Sequence, residues 1–148
     1  MAAPRQLRTQ ANKLGVRTAG LEELTHPEAF RPWLEAGCYD VVMPDVKYAG
    51  GIGGLLRVAD MAAAQGTACA PHNPTGPVCH AASLAACAMG QGMELLEHQY
   101  DETPAFHTLV QGSLPLPWQG CSTLPLAPGL GIRLQPPLPG PETVVAAG

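Results

Sequence analysis

From residue 16 to about residue 97, short apolar runs alternate with longer stretches whose apolar residues recur every three or four positions. Residues 16–20 are the first predicted strand. Residues 25–28, Thr-His-Pro-Glu, then read as a capping box with Pro27 in the first turn of a helix. Ala29, Phe30, Trp33 and Leu34 follow at helical spacing, Pro32 weakens or bends the pattern, and Gly37 stops it. A second strand at 39–43 ends at Pro44. The Gly50–Gly54 cluster leads into a helix with Leu55, Val58, Ala59 and Ala62 on one face, closed by Gly66. Residues 67–70 form a third strand, 73–76 a loop, and Pro77 opens a small-residue helix to about Met89, before a fourth strand at 93–96. Strands thus recur about every 25 residues with helices between them, the period of parallel α/β structure.

Residues 1–15 are a lead-in to these units. Past Glu97 the character changes: 100–110 is polar with helical potential, 113–134 is rich in Pro and Gly with short extended pieces, and 135–148 is a loose tail. A chain of 148 residues suits one domain with a real core. Only 14% of it is charged, against roughly 25% in an average soluble domain, as in a piece that expects a partner surface. A net charge of −4 without any Lys/Arg cluster argues against nucleic-acid or anionic-membrane binding. No apolar run approaches the ~20 residues needed to span a bilayer, and the N-terminus lacks the apolar centre of a secretory signal. Five cysteines without a CxxC pair predict a reduced, cytoplasmic protein with neither a disulfide frame nor a cysteine zinc site.

The candidate chemistry lies where each strand stops. Glu22, Asp45, His72 and Glu97 follow the four predicted strands at separations of 23, 27 and 25 residues. Any one of them alone fits a solvated loop residue, a helix cap or a core histidine. Four acid/base groups in register fit better with one face of a parallel sheet, where the carboxyl ends of strands converge. Gly50–Gly54 has neither GxGxxG nor P-loop spacing and predicts a tight turn with close helix–strand packing. Of the other histidines, His26 is expected at a helix start, His80 at a helix surface or interface, and His98 and His107 without a recognisable partner; none has HExxH or comparable metal spacing.

These motifs carry a resemblance. VVMPDVKYAGGIGG, TACAPHNPTGPV, MELLEHQ and APGLGI occur in order over about residues 16–134 and resemble the enolase superfamily, mandelate racemase subgroup. APHNPTGPV with EHQYDET is most similar to the acid-sugar dehydratase (galactonate dehydratase-like) branch. The resemblance implies an α/β fold, the C-terminal half, about strands 5–8, of a (β/α)8-type TIM barrel. It implies that Glu22 is the third carboxylate of a Mg²⁺ site. Asp45 and His72 become an Asp–His dyad that abstracts the α-proton of a small-molecule carboxylate such as a sugar acid, leading to dehydration or racemisation. Glu97 becomes an acid that hydrogen-bonds the intermediate, able to donate if its surroundings keep it protonated. Muconate-lactonizing relatives carry a Lys where Asp45 stands. Lys47, two residues on, is expected on the other face of the strand. Leu21 departs from the family, which usually has Gly before the metal-binding Glu.

A complete barrel needs about 200–250 residues. The resemblance implies that the second-strand Lys and two further metal carboxylates lie upstream, and neither Asp40 nor Glu94 is placed to substitute. The expectation is a chain that is inactive by itself and either self-associates or works with the missing N-terminal half. The alternative is a non-catalytic half-barrel serving as an oligomerising or interaction module.

Overall fold

A computed structural model describes residues 1–93, 95–99, 103–112, 114 and 116–136. Three two-residue strands, β1 (Ala19–Gly20), β2 (Val41–Val42) and β3 (Ala68–Cys69), form a parallel sheet in that order. Gly20 pairs with Val42, and Val42 with Cys69, so the three strands are level with one another. The regular pairing is shorter than the predicted runs but falls within each. The fourth expected strand is reduced to a parallel bridge from Met93 to Cys69; Leu95 and Leu96 are not paired, and Glu94 lies outside the described residues.

Helices follow the strands. The 1–15 lead-in is largely helix α1 (Ala2–Lys13), which buries no residue. It is fastened by polar groups: Arg8 Nε donates to Asp40 at 2.8 Å, Arg8 Nη1 to the Gly37 carbonyl at 2.9 Å, and Asn12 Nδ2 to Asp40 at 2.9 Å. After β1 comes a 3-10 turn, Pro27–Ala29, and then α2 (Arg31–Glu35). The capping box does not form. Glu28 turns outward to Arg31 and Arg57, at 2.9 Å from each, and no side chain caps the turn. Pro32 sits in the first turn of α2, where its missing N–H costs nothing, so it opens that helix rather than bending a longer one.

Helix α3 (Gly51–Ala64) buries Leu55, Val58, Ala59 and Ala62, the face predicted from spacing. Of its opening glycines Gly54 is the closely packed one, and against the preceding turn rather than a strand: a Cβ there would stand 1.9 Å from the Ala49 carbonyl oxygen, while one on Gly51 or Gly53 would meet nothing within 4 Å. Helix α4 (Pro77–Met89) begins at its proline and packs along α3. Phe30, Leu34, Val42, Val58, Ala59, Ala62 and Cys69 form the main core, with Val46, Leu55, Cys79 and Ala86 in a second cluster. The first is the apolar faces of α2 and α3 laid on the sheet and the second is packed between α3 and α4; such burial is the source of most of the stabilisation.

Beyond Glu97, a short helix α5 (Ala105–Thr108) leads to β4 (Val110–Gly112), which pairs antiparallel with β5 (Ile132–Leu134). Residues 100–102 of the predicted polar helix and 137–148 of the tail lie outside the described residues. Cys38, Cys69 and Cys79 are buried, Cys87 half-buried and Cys121 exposed, all as free thiols. Among the described residues no helix is long and apolar enough to cross a membrane.

Candidate functional site

Each strand hands the chain to a short exit segment that carries one ionisable side chain. The exit from β1 turns through Leu21, whose φ of 81° lies in the left-handed region that a bulky side chain rarely occupies. This is the position where the resemblance expects glycine, and the backbone keeps glycine's conformation. Glu22 follows, half-buried, and shares an open cleft of about 450 Å³ with Leu21, Glu23, Leu24 and His72.

The exits from β2 and β3 run side by side. Asp45 and His72 are partners in a parallel bridge, and the His72 N–H donates to the Pro44 carbonyl at 3.2 Å. The Asp45 side chain is fully buried, and its Oδ2 stands 3.1 Å from His72 Nδ1. A carboxylate only accepts, so Nδ1 carries the proton in the neutral ring and Nε2 is left as the basic nitrogen. Asp45 Oδ1 accepts the Lys47 N–H at 2.8 Å, and the Lys47 ammonium lies 3.2 Å from Oδ2 while also meeting Thr75 Oγ1. Lys47 therefore does not point to the opposite face. Past Asp45 the chain leaves strand geometry for a turn in which Tyr48 N–H and Ala49 N–H both donate to the Asp45 carbonyl, so two-residue alternation no longer applies.

Glu97 reaches the same rim through Asn73. Glu97 Oε2 accepts the Asn73 backbone N–H at 3.0 Å, and the Glu97 carbonyl accepts Asn73 Nδ2 at 2.8 Å. Glu97 is exposed, so the described residues do not enclose it in apolar surroundings. Asn73 Nδ2 also lies 2.7 Å from Nδ1 of His80, a fully buried side chain rather than a surface one. Burial and the neighbouring His98 hold His80 down at about 4. His98 and His107, expected without partners, pack edge-on against Phe106, and His98 against His80 as well.

All four strand-end residues thus lie at one end of the parallel sheet. Asp45 and His72 touch, Glu22 shares the cleft with His72, and Glu97 is tied to the residue after His72. Lys47, Asn73 and His80 complete the group. The adjacency of Asn73 to His72 was visible in the sequence, but its partners Glu97 and His80 were not signalled by any local spacing. At the opposite end of β2, Asp40 accepts from Arg8, Asn12 and Thr18, and it takes no part in the rim. Glu94 lies outside the described residues.

The donor set for a divalent metal is incomplete. Mg²⁺ requires near-octahedral oxygen ligation, whereas Glu22 and Glu23 are the carboxylates lining the cleft, and the described residues contain no cluster of three or more His, Cys, Asp or Glu able to hold a metal. The rim of this chain, taken alone, does not fit a Mg²⁺ ion.

Residues 1–138 match the family model "Enolase C-terminal domain-like". The chain is 31% identical over 132 residues to an L-rhamnonate dehydratase from Saccharopolyspora erythraea, covering 88% of this chain and 33% of the relative. It is 47% identical over 58 residues to a D-galactonate dehydratase from Ralstonia nicotianae, covering 39% of this chain and 14% of that one. The solved mandelate racemase/muconate lactonizing enzyme from Jannaschia sp. CCS1 superposes with a TM-score of 0.76 at 33% identity, over 88% of this chain and 33% of that chain. The chain thus spans about a third of the length of the first and third of these relatives. The parallel βα units are the C-terminal part of that family's TIM-type barrel, and the chain belongs to the enolase C-terminal domain-like family, among the mandelate racemases and their relatives.

Proposed function

We propose that this chain carries the proton-transfer half of an acid-sugar dehydratase or racemase, completed by barrel strands on another polypeptide segment. The observation that carries this reading is the buried Asp45 carboxylate on His72 Nδ1, beside a cleft shared with a second strand-end carboxylate, Glu22. With Nδ1–H held by Asp45, His72 Nε2 removes the α-proton of a sugar acid, and the C–H electron pair passes into the carboxylate to give an enediolate. In dehydration, His72 returns that proton to the departing β-hydroxyl, releasing water and an enol that tautomerises to a 2-keto acid. Racemisation instead returns a proton to the α-carbon. Glu97, with Oε2 occupied by Asn73 N–H, has Oε1 left to meet the intermediate. Glu22 would supply one carboxylate to a Mg²⁺ ion only if further oxygen ligands were brought to the cleft from beyond these 148 residues.

The test supplies the first half of a related barrel as a separate chain and follows α-proton exchange of a sugar acid in D₂O. His72→Asn should lower exchange by about 10²-fold or more, the scale of general-base catalysis. Equal exchange in wild type and variant rejects the reading. A second reading, an oligomerising module without catalysis, is favoured by one feature: β1 has a neighbour on one side of the sheet only. Self-association of the chain, with no α-proton exchange when complemented, is the result that supports it.

A further inference from the structure

The buried polar group that the proton-transfer scheme does not use is Asn73 with His80, 3% and 1% exposed. Its hydrogen-bond directions follow from chemistry. The Glu97 carbonyl can only accept, so the Asn73 side-chain atom 2.8 Å from it must be the NH₂ group. That same NH₂ lies 2.7 Å from His80 Nδ1. Nδ1 must therefore present a lone pair, which makes His80 neutral with its proton on Nε2. Both amide hydrogens of Asn73 are then committed, one to Glu97 and one to His80. The buried oxygen Oδ1 and His80 Nε2 are left without partners among the described residues. A turned amide could take an Nδ1–H from His80, but it would set Oδ1 against the Glu97 carbonyl, acceptor to acceptor, so the NH₂ orientation is the one that satisfies both neighbours.

We propose that Asn73 is the positioning residue for Glu97, and that the neutral imidazole of His80 fixes the amide of Asn73 in the orientation this requires. Asn73 grips Glu97 twice, by its backbone N–H on Oε2 and its side chain on the main chain, while sitting directly after His72. This clasp, added to the Glu97 N–H bond to the Pro71 carbonyl, holds the Glu97 side chain beside His72. His80 is itself wedged edge-on between His98 and Phe106, with ring centroids 4.8 and 5.9 Å away. Burial and His98 keep it from protonating near neutral pH, and a protonated Nδ1–H would face an amide that has no lone pair to give. The catalytic meaning of the clasp rests on the proposed function, but the clasp can be tested without any turnover.

The test uses the whole 148-residue chain, labelled with ¹⁵N and with ¹³C at glutamate carboxyls. At pH 7 the ¹⁵N shifts of His80 should report the Nε2–H tautomer; an Nδ1–H tautomer overturns the proposal. His80→Asn places a carbonyl oxygen where Nδ1 stood, whereas His80→Leu places no acceptor there. The leucine variant should speed hydrogen exchange at the Asn73 N–H by about tenfold or more and move the Glu97 carboxyl resonance. The asparagine variant should stay within about threefold of wild type. Unchanged exchange in His80→Leu, or an asparagine variant no better than the leucine one, refutes the assignment. If His80→Leu fails to fold, the wild-type tautomer and the His80→Asn measurements still decide. Because α-proton exchange on His72→Asn is a separate assay, this proposal and the functional one can fail independently.

Discussion

Asp40→Asn removes one charge while keeping the shape of the side chain, at the pole of β2 opposite to Asp45. Partial burial would raise the Asp40 carboxyl, but the Thr18 N–H, the Asn12 amide and the Arg8 guanidinium outweigh it and hold the group at about 2, against an ordinary 3.8. At ~1.4 kcal/mol per unit, that difference corresponds to about 2.5 kcal/mol of stability. Asp40 is 11% exposed and Arg8 33%, so solvent screening reduces the figure to roughly 1.5–2 kcal/mol. The folded-state value is the lower one. The contribution is therefore complete above the unfolded value near 3.8 and is lost as pH falls through about 2. Urea unfolding at pH 7 should show Asp40→Asn less stable by that amount, with Tm lower by roughly 5 °C. The gap should close between about pH 4 and pH 2. A variant as stable as wild type at pH 7, or a gap that persists unchanged to pH 2, would mean that these three donors do not hold Asp40 ionised. The His72 ring resonances should not move, because the perturbation lies at the far end of the strand.

Three further outcomes follow from packing and burial. Gly54→Ala places a methyl 1.9 Å from the Ala49 carbonyl oxygen, backbone that cannot step aside, and should cost about 3 kcal/mol or more in a denaturant titration; a neutral result would mean that α3 does not start where described. At residue 21 the usual order of side chains should invert: Leu21→Gly should be more stable than Leu21→Ala by about 1 kcal/mol, because alanine keeps the left-handed strain and glycine does not, and the reverse order would deny the positive φ. Brief alkylation of the native chain at pH 8 should label exposed Cys121 well before Cys69 and Cys87, whose thiols burial pushes up to about 12 and about 11; peptide mass spectrometry showing equal labelling would contradict that burial.

The sequence carried the rim because the βα period is global: strands that recur in parallel must deliver their exits to one end, whatever the loops do. Glu22, Asp45, His72 and Glu97 could be placed together without any knowledge of contacts. The buried face of α3 was legible for the same reason, since Leu55, Val58, Ala59 and Ala62 repeat with the helix. What failed was local chemistry with competing partners. Thr25 and Glu28 have capping-box spacing, yet Glu28 finds two arginines, one of them on α3 and remote in sequence. Lys47 would obey alternation only while the chain remained a strand, and the turn that begins at Asp45 ends it. For His80 the sequence leaves helix surface and interface both open, because its acceptor role depends on Asn73, seven positions earlier and across a loop. The two-residue strands were also beyond reach, since apolar runs mark where a sheet can form, not how much of each run is paired.

The exits from adjacent strands are laced together by main-chain groups: His72 N–H to the Pro44 carbonyl, and Glu97 N–H to the Pro71 carbonyl at 3.4 Å. Neither bond depends on what hangs from Cα at 45, 72 or 97. The mounting points are thus independent of the tools mounted on them. A different functional group installed at residue 45 would project from the same spot as the present carboxylate. Diversification of chemistry on such a scaffold needs only exchanged functional groups, with no rebuilding of the frame.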